Sequence, residues 1–136
     1  MMMTKKELLG SLELQLSHAT TELEAPFFEI ATKAGSKWTT RYTSKPQQQA
    51  SNPCWEPLTL ALDQITKNGS LDSPIRITVK DSSTEGAVDR WIGSFQTTIQ
   101  ELVSDGEHAF PIKQQEFFTS NRGMIVVQNA KIAATS

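Results

Sequence analysis

Cysteine is almost absent from this chain of 136 residues, in which Cys54 is the only one. A single cysteine cannot form a disulfide within the chain, and its scarcity favours a reducing compartment. A lone free cysteine is more often a small buried hydrophobe than a nucleophile, so we expect Cys54 to be buried. Packing alone must hold the core, and a chain of this length can bury enough surface for that.

Long apolar runs and a surplus of positive charge are also missing. No apolar run approaches the roughly 20 residues that cross a bilayer, and residues 1–6 are not followed by the apolar stretch of a signal peptide. We therefore expect a cytoplasmic chain whose contact with any membrane is peripheral. The formal charge of -2 and the pI near 5.7 argue against a nucleic-acid binder, which needs a basic surplus.

Alternation of apolar and polar residues dominates what the sequence does contain. Leu12, Leu14 and Leu16 are separated by polar neighbours, and this period of two is typical of a half-buried strand. The same pattern predicts about eight short strands, at residues 11–17, 27–31, 37–43, 58–62, 74–80, 91–95, 108–112 and 124–127. Short strands separated by turn residues are typical of a sandwich or a barrel and not of a βαβ fold.

One or two short helical turns are predicted among the strands. Residues 63–65 follow a strand and favour a helical turn. Thr98 and Glu101 have the spacing of a capping box, which predicts a short helix over residues 99–104.

Four short motifs resemble those of a known family. Residues 52–55 (Asn-Pro-Cys-Trp) match the Asn-Pro-x-Trp element of C2 domains, and residues 75–81 resemble their hydrophobic strand that ends in an aspartate. Residues 89–93 resemble the opening of the next strand. Residues 93–98 (Gly-Ser-Phe-Gln-Thr-Thr) are similar to a run typical of the copine branch. The order and spacing of the four motifs make the resemblance specific.

The resemblance to C2 domains implies an all-β, eight-stranded antiparallel β-sandwich over residues 11–132. Residues 1–10 then form an N-terminal extension and residues 133–136 a C-terminal tail. The large aromatic residues of the motifs are expected to lie in the core and to carry no chemistry; they are Trp55, Trp91 and Phe95.

An incomplete calcium site is implied by the same resemblance. Calcium takes roughly six to eight oxygen ligands, which C2 domains supply from aspartates on two loops at one end. The second loop corresponds here to Asp81, Ser83 and Asp89, where the family has three aspartates, and in the first loop Ala25 stands in place of a ligand aspartate. We expect weak calcium binding at most and no other cofactor. Otherwise, Asp81 and Asp89 hydrogen-bond the backbone of their own turns.

A basic stretch offers a second candidate site. From Ile30 to Trp55 there is no acidic residue, and the stretch contains four cations, namely Lys33, Lys37, Arg41 and Lys45. The two-residue period predicts that the last three share one face, with Trp38 and Tyr42 on the other. Such a row suits the phosphates of anionic lipid headgroups. The alternative is a solvated strand face that also discourages pairing of a sheet edge.

Catalysis is not indicated by any motif. Neither histidine has triad-like or zinc-ligand spacing, and no run of glycines could cradle a phosphate. We therefore expect a non-enzymatic module. The first hypothesis is peripheral binding to an anionic phospholipid membrane with little or no calcium requirement. The alternatives are a protein–protein interaction module with a degenerate calcium site, and an ordinary calcium-triggered module.

Overall fold

The alternating segments form strands in the structure, a computed structural model that describes residues 10–19, 25–47, 54–67, 70–82, 90–104, 109–113 and 121–133. These residues contain eight strands: β1 (Ser11–Ala19), β2 (Pro26–Ala34), β3 (Lys37–Thr43), β4 (Leu58–Ala61), β5 (Pro74–Asp81), β6 (Arg90–Thr98), β7 (Ala109–Lys113) and β8 (Asn121–Ala133). Two short helices accompany them, α1 (Leu62–Ile65) and α2 (Ile99–Val103).

The strands pair in the order β3-β2-β5-β6-β7-β8-β1-β4, and each of these pairings is antiparallel. The middle of this order is weakly joined, because β6 and β7 share a single residue pair, Ser94 with Lys113. The strands therefore divide into two four-stranded halves, β3-β2-β5-β6 and β7-β8-β1-β4. The apolar faces of the halves pack against each other as the two layers of a β-sandwich.

The core consists of the alternate apolar residues of both halves. On β1 and β5, for example, every second residue is buried and belongs to one continuous cluster; these residues are Leu12, Leu14, Leu16, Ile75, Ile77 and Val79. Trp55, which precedes β4, contacts Phe28 of β2 edge to face, with ring centroids 5.0 Å apart. This aromatic pair joins the two layers across the core.

The prediction of an all-β antiparallel sandwich with one or two short helical turns is confirmed. The start of α2 also agrees with the sequence, because the Thr98 hydroxyl oxygen accepts a hydrogen bond from the Glu101 N–H at 3.2 Å. The Glu101 carboxylate in turn accepts a hydrogen bond from the Thr97 hydroxyl at 2.7 Å. The division of the chain into residues 1–10, 11–132 and 133–136 stays a prediction.

Cys54 departs from its predicted burial and is exposed. It forms an isolated β-bridge with Ser17 just before β4 begins. The next residue, Trp55, takes the buried position at this point, as predicted for a core aromatic. Burial in an extended chain alternates, so Cys54 is left on the solvent side.

Trp91 departs from prediction as well, since 37% of its surface is exposed. A β-bulge between Val79 and Lys80 changes the register, so that Trp91 pairs with Lys80. Ile92 is buried instead. Phe95, farther along β6, packs against the core as predicted, although it is only partly buried.

Candidate functional site

Asp81 is the one predicted metal ligand in the described part of the chain, and it lies at the end of β5. It is 4% exposed, and its Oδ1 accepts a hydrogen bond from the Ala25 N–H at 2.7 Å. The Ala25 carbonyl accepts a hydrogen bond from the Ser82 N–H at 3.0 Å. Asp81 therefore bonds to the approach to β2. That it also bonds to the backbone of its own turn, which continues outside the described residues, stays a prediction.

The position of Ala25 explains how the two predicted calcium loops are related. Pro26 pairs with Asp81 across β2 and β5, so Ala25 is beside the carboxylate, where the resemblance places a second ligand. Ser83 and Asp89 lie outside the described residues. Within the described residues, no group of three or more His, Cys, Asp or Glu side chains is arranged to hold a metal ion. The calcium site with Asp81, Ser83 and Asp89 stays a prediction.

The four predicted cations are all exposed. Lys33 is near the end of β2, Lys37 and Arg41 are on β3, and Lys45 follows β3. The ion pairs between described residues join Lys80 to Glu29 and Lys131 to Glu13, and neither involves these four cations. None of the four therefore forms an ion pair with a carboxylate of the described residues, although Asp63 and Asp72 line the same cavity as Lys33 and Arg41.

A β-bulge in β3 changes the faces of its aromatic residues from those that the alternation predicts. Ile30 of β2 pairs with Tyr42, whereas the next residue, Ala31, pairs with Thr40, so Arg41 is the additional residue. Trp38 pairs with Lys33, whose side chain is on the outer face. Tyr42 pairs with Ile30, which is buried, so the side chain of Tyr42 is on the core side. The prediction that Trp38 and Tyr42 share a face is wrong, because a bulge shifts the alternation by one residue.

Arg41 and Lys45 lie in different surroundings. Arg41 Nε donates a hydrogen bond to the Thr32 hydroxyl at 2.9 Å. Beside this pair is a cavity of about 690 Å³, which α1 and the segment that leads to β5 also line. Lys45 lines a smaller cavity of about 300 Å³ between the end of β3 and the start of β4, together with Tyr42 and Trp55.

Trp38 lies on the outer face of the β3-β2-β5-β6 half, with two cations next to its ring. Lys33 Nζ is 5.9 Å from the ring centroid, and the Arg76 guanidinium carbon is 4.9 Å from it. Both distances are within the range of cation–π attraction. We call Lys33, Trp38 and Arg76 the cationic–aromatic cluster. The period of two in residues 74–80 places Arg76 at an outward position, but it does not connect Arg76 with the other two residues.

The register between strands explains this omission. Lys33 pairs with Trp38 across β2 and β3, and Ala31 pairs with Arg76 across β2 and β5. The alternation in each strand predicts which residues face outward, but it does not predict which residues of neighbouring strands are adjacent. The presence of Lys, Trp and Arg at outward positions of these strands was the sequence feature that could have indicated the cluster.

No helix in the described part of the chain is long and apolar enough to cross a membrane.

Comparison with known proteins identifies the fold. No family model matches the chain, and a search of the curated proteins finds no match. Among solved structures, BON1-C2B is similar, with a TM-score of 0.75 and 18% identity, over 94% of this chain and 94% of that chain. A structure described as "Structure of a C2 domain" has a TM-score of 0.58 and 15% identity, over 87% of this chain and 94% of that one.

A third similar structure belongs to a longer chain. It is described as "CC2D1B coordinates ESRCT-III activity during the mitotic reformation of the nuclear envelope", and it has a TM-score of 0.61 and 8% identity. The match covers 88% of this chain and 54% of that one. This chain thus has the C2 fold, and the resemblance seen in the sequence is confirmed at that level.

Proposed function

We propose that this chain is a peripheral binding module that attaches to anionic phospholipid on the cytoplasmic side of a membrane, with little or no need for calcium. C2 domains in general bind membranes or proteins. The observation that carries the proposal is a set of exposed cations around β2 and β3 that form no ion pair with a described carboxylate: Lys33, Lys37, Arg41 and Lys45. Cations near an anionic bilayer are attracted by its negative surface potential.

The expected attachment is weak. Each Lys or Arg near an anionic surface contributes about 1 kcal/mol, which corresponds to roughly a fivefold change in affinity. Exposed charges are screened within about 8 Å at physiological ionic strength. Binding should therefore fall steeply as salt is added.

The hydrogen bond of Asp81 supports the low calcium requirement. One carboxylate oxygen already accepts the Ala25 N–H at 2.7 Å in a buried position. Ala25, which stands in place of a ligand aspartate, offers an ion no side-chain oxygen. Calcium affinity falls as the number of charged ligands falls.

Co-sedimentation with lipid vesicles tests the proposal. Phosphatidylcholine vesicles with and without phosphatidylserine are compared at low and high salt, and with calcium or a chelator. We expect binding to the anionic vesicles only, with loss at high salt and no effect of the chelator. The double variant Lys37→Glu, Arg41→Glu should abolish binding.

A charge-matched variant controls for net charge. Lys37→Glu and Lys131→Glu change the charge equally, but Lys131 is on β8 and is already paired with Glu13 at 3.7 Å. We expect only Lys37→Glu to weaken binding. Equal losses would show that net charge alone is responsible. No vesicle binding under any condition would favour a protein-binding module, and binding that requires calcium would overturn the calcium-independent form.

A further inference from the structure

The cavity beside Arg41 and Thr32 lies at the end of the sandwich opposite to the predicted calcium loops. It is lined by the hairpin of β2 and β3, by α1, which follows β4 in the other layer, and by the turn that leads to β5. Pro74, the first residue of β5, lines it, whereas Asp81 is the last residue of that strand. A strand rises about 3.3 Å per residue, so roughly 23 Å separate these two residues. The cavity is therefore distinct from the predicted metal site.

Two buried residues form the wall of the cavity that faces the core. Ile65 is 1% exposed and Thr32 is 8% exposed, and both line the cavity. Ile65 belongs to the core cluster, and Thr32 follows Phe28 and Ile30 on the core-facing side of β2. A ligand that enters from the solvent therefore stops against the core. A cavity with such an inner wall suits the end of a chain better than its middle.

The Arg41 guanidinium is held beside this inner wall. Its Nε donates a hydrogen bond to the Thr32 hydroxyl at 2.9 Å. Arg41 is the additional residue of the bulge in β3, and its side chain reaches the core-facing Thr32 instead of the outer face of the sheet. With Nε engaged, the two terminal nitrogens can still form the parallel pair of hydrogen bonds that a guanidinium makes to a carboxylate. The cavity thus contains a fixed donor for one carboxylate.

The opposite wall of the cavity carries hydrogen-bond acceptors of negative charge. Asp63 of α1 and Asp72 of the following turn line it, together with Lys67. The turn is fixed by its own bonds, because the Ser73 hydroxyl accepts the Lys67 N–H at 2.9 Å and donates to the Ser70 carbonyl at 2.8 Å. Carboxylates attract cations and accept hydrogen bonds from N–H groups. A purely anionic ligand would be repelled here, so the occupant needs a carboxylate at one end and N–H groups farther along.

The end of a polypeptide has this chemistry. A C-terminal segment carries one carboxylate at its tip and a series of backbone N–H donors behind it. We propose that this cavity binds the C-terminal carboxylate of a partner peptide, with Arg41 as the carboxylate contact and Asp63 and Asp72 as acceptors for N–H groups or for a basic side chain near the tip. The volume of about 690 Å³ is within the usual range of small-ligand sites and can hold a few residues. The inference does not depend on attachment to a membrane.

A library of synthetic peptides tests the inference. Peptides with randomised C-terminal residues are immobilised through their N-termini, and each is made both as the free acid and as the C-terminal amide. We expect the chain to bind a subset of the free acids, enriched in Lys or Arg shortly before the last residue. Amidation should weaken the affinity of the best peptides about tenfold or more, because it removes a charge-assisted pair of hydrogen bonds. Fluorescence anisotropy of the labelled peptides measures the affinity in solution.

Variants of the chain supply the second arm of the experiment. Arg41→Gln should weaken binding of the best free-acid peptide about tenfold and should have little effect on its amide. A purely structural role for Arg41 would weaken both peptides alike. Arg41→Lys should restore only part of the affinity, because lysine lacks the planar pair of donors. Lys131→Gln, on β8, is the charge-matched control and should bind as the wild type does. Thermal unfolding verifies that each variant is folded.

Three outcomes would overturn the inference. The first is a library in which no free-acid peptide binds, and the second is equal binding of free acids and amides. The third is binding of inorganic phosphate, dependent on Arg41, without binding of any peptide, which would show a plain anion site. The peptide assay contains no lipid, so a failure to bind vesicles would overturn the proposed function and leave this inference intact.

Discussion

Asp81, a predicted calcium ligand, also has a structural contact within the fold. In the resemblance to C2 domains it is a calcium ligand, whereas in the structure its buried carboxylate accepts the N–H of Ala25 at 2.7 Å. Ala25 is itself 3% exposed, so its N–H depends on a partner within the protein. The bond joins the entry to β2 with the end of β5, two segments that are 56 residues apart.

Substitutions at Asp81 should distinguish the contribution of the hydrogen bond to stability from the contribution of the negative charge. Asp81→Ala leaves a buried donor without this acceptor, and we expect a loss of about 1–3 kcal/mol in the free energy of unfolding. Asp81→Asn keeps a side-chain oxygen in place and should cost clearly less. Urea unfolding of both variants measures the difference. Equal losses would mean that the negative charge, and not the acceptor, stabilises this end of the sandwich.

At the scale of elements, the hairpin of β2 and β3 carries most of the candidate site. Ala34 pairs with Lys37, so Gly35 and Ser36 form a two-residue hairpin loop. Gly35 has φ of 63°, in the left-handed region that glycine adopts without strain. A Cβ atom added there would meet no atom within 4 Å, so any penalty arises from the backbone alone.

The hairpin therefore allows a clean test of backbone strain. Gly35→Ala should lower the free energy of unfolding by about 1–2 kcal/mol, because L-residues are disfavoured at positive φ. Gly35→Asn should cost less, since asparagine tolerates this conformation. Thermal unfolding of the two variants provides the comparison. An alanine variant as stable as the wild type would show that the loop relaxes to another turn.

The strands themselves were predictable, because burial of one sheet face imposes a period of two on the sequence. The start of α2 was also predictable, since the cap lies between Thr98 and Glu101, which are close in the chain. The β-bulges were not predictable, because an additional residue does not change the local pattern of apolar and polar residues in a recognisable way. The bulge near Lys80 exposed Trp91, and the one at Arg41 separated Trp38 from Tyr42.

The candidate site was predictable only in its components. Lys33, Lys37, Arg41 and Lys45 were identified as a basic stretch, and all four are exposed. Their distribution over an outer face and two cavities follows from pairing between strands, which is a long-range property. Arg76 joins Trp38 from a strand that is distant in sequence, so neither composition nor spacing could associate them.

At the scale of the whole molecule, the two layers depend on a shared core. The described pairing between β6 and β7 is a single residue pair, so backbone hydrogen bonds contribute little to holding the halves together. Trp55 makes several contacts that help to hold the two layers together. Its N–H donates to the Leu16 carbonyl of β1 at 3.0 Å, and its indole N–H donates to the Pro26 carbonyl of β2 at 3.1 Å.

Removal of Trp55 should therefore destabilise the molecule as one unit. Trp55→Ala should lower the free energy of unfolding by about 3–5 kcal/mol, and Trp55→Phe by about 1–3 kcal/mol through loss of the indole hydrogen bond. Trp91→Phe, at an exposed position, is the control and should have little effect. Denaturant unfolding should remain a single transition. Two separate transitions would show that the layers fold independently.

The bond between Asp81 and Ala25 has a consequence for how the proposed attachment would be timed. A loop end that is fastened by its own carboxylate keeps its shape whether or not divalent ions are present, so chelators should leave the melting temperature unchanged. A module of this kind would respond to the lipid composition of the membrane and to its surface potential. It would stay bound through brief rises in calcium and would therefore hold its place continuously, without a calcium trigger.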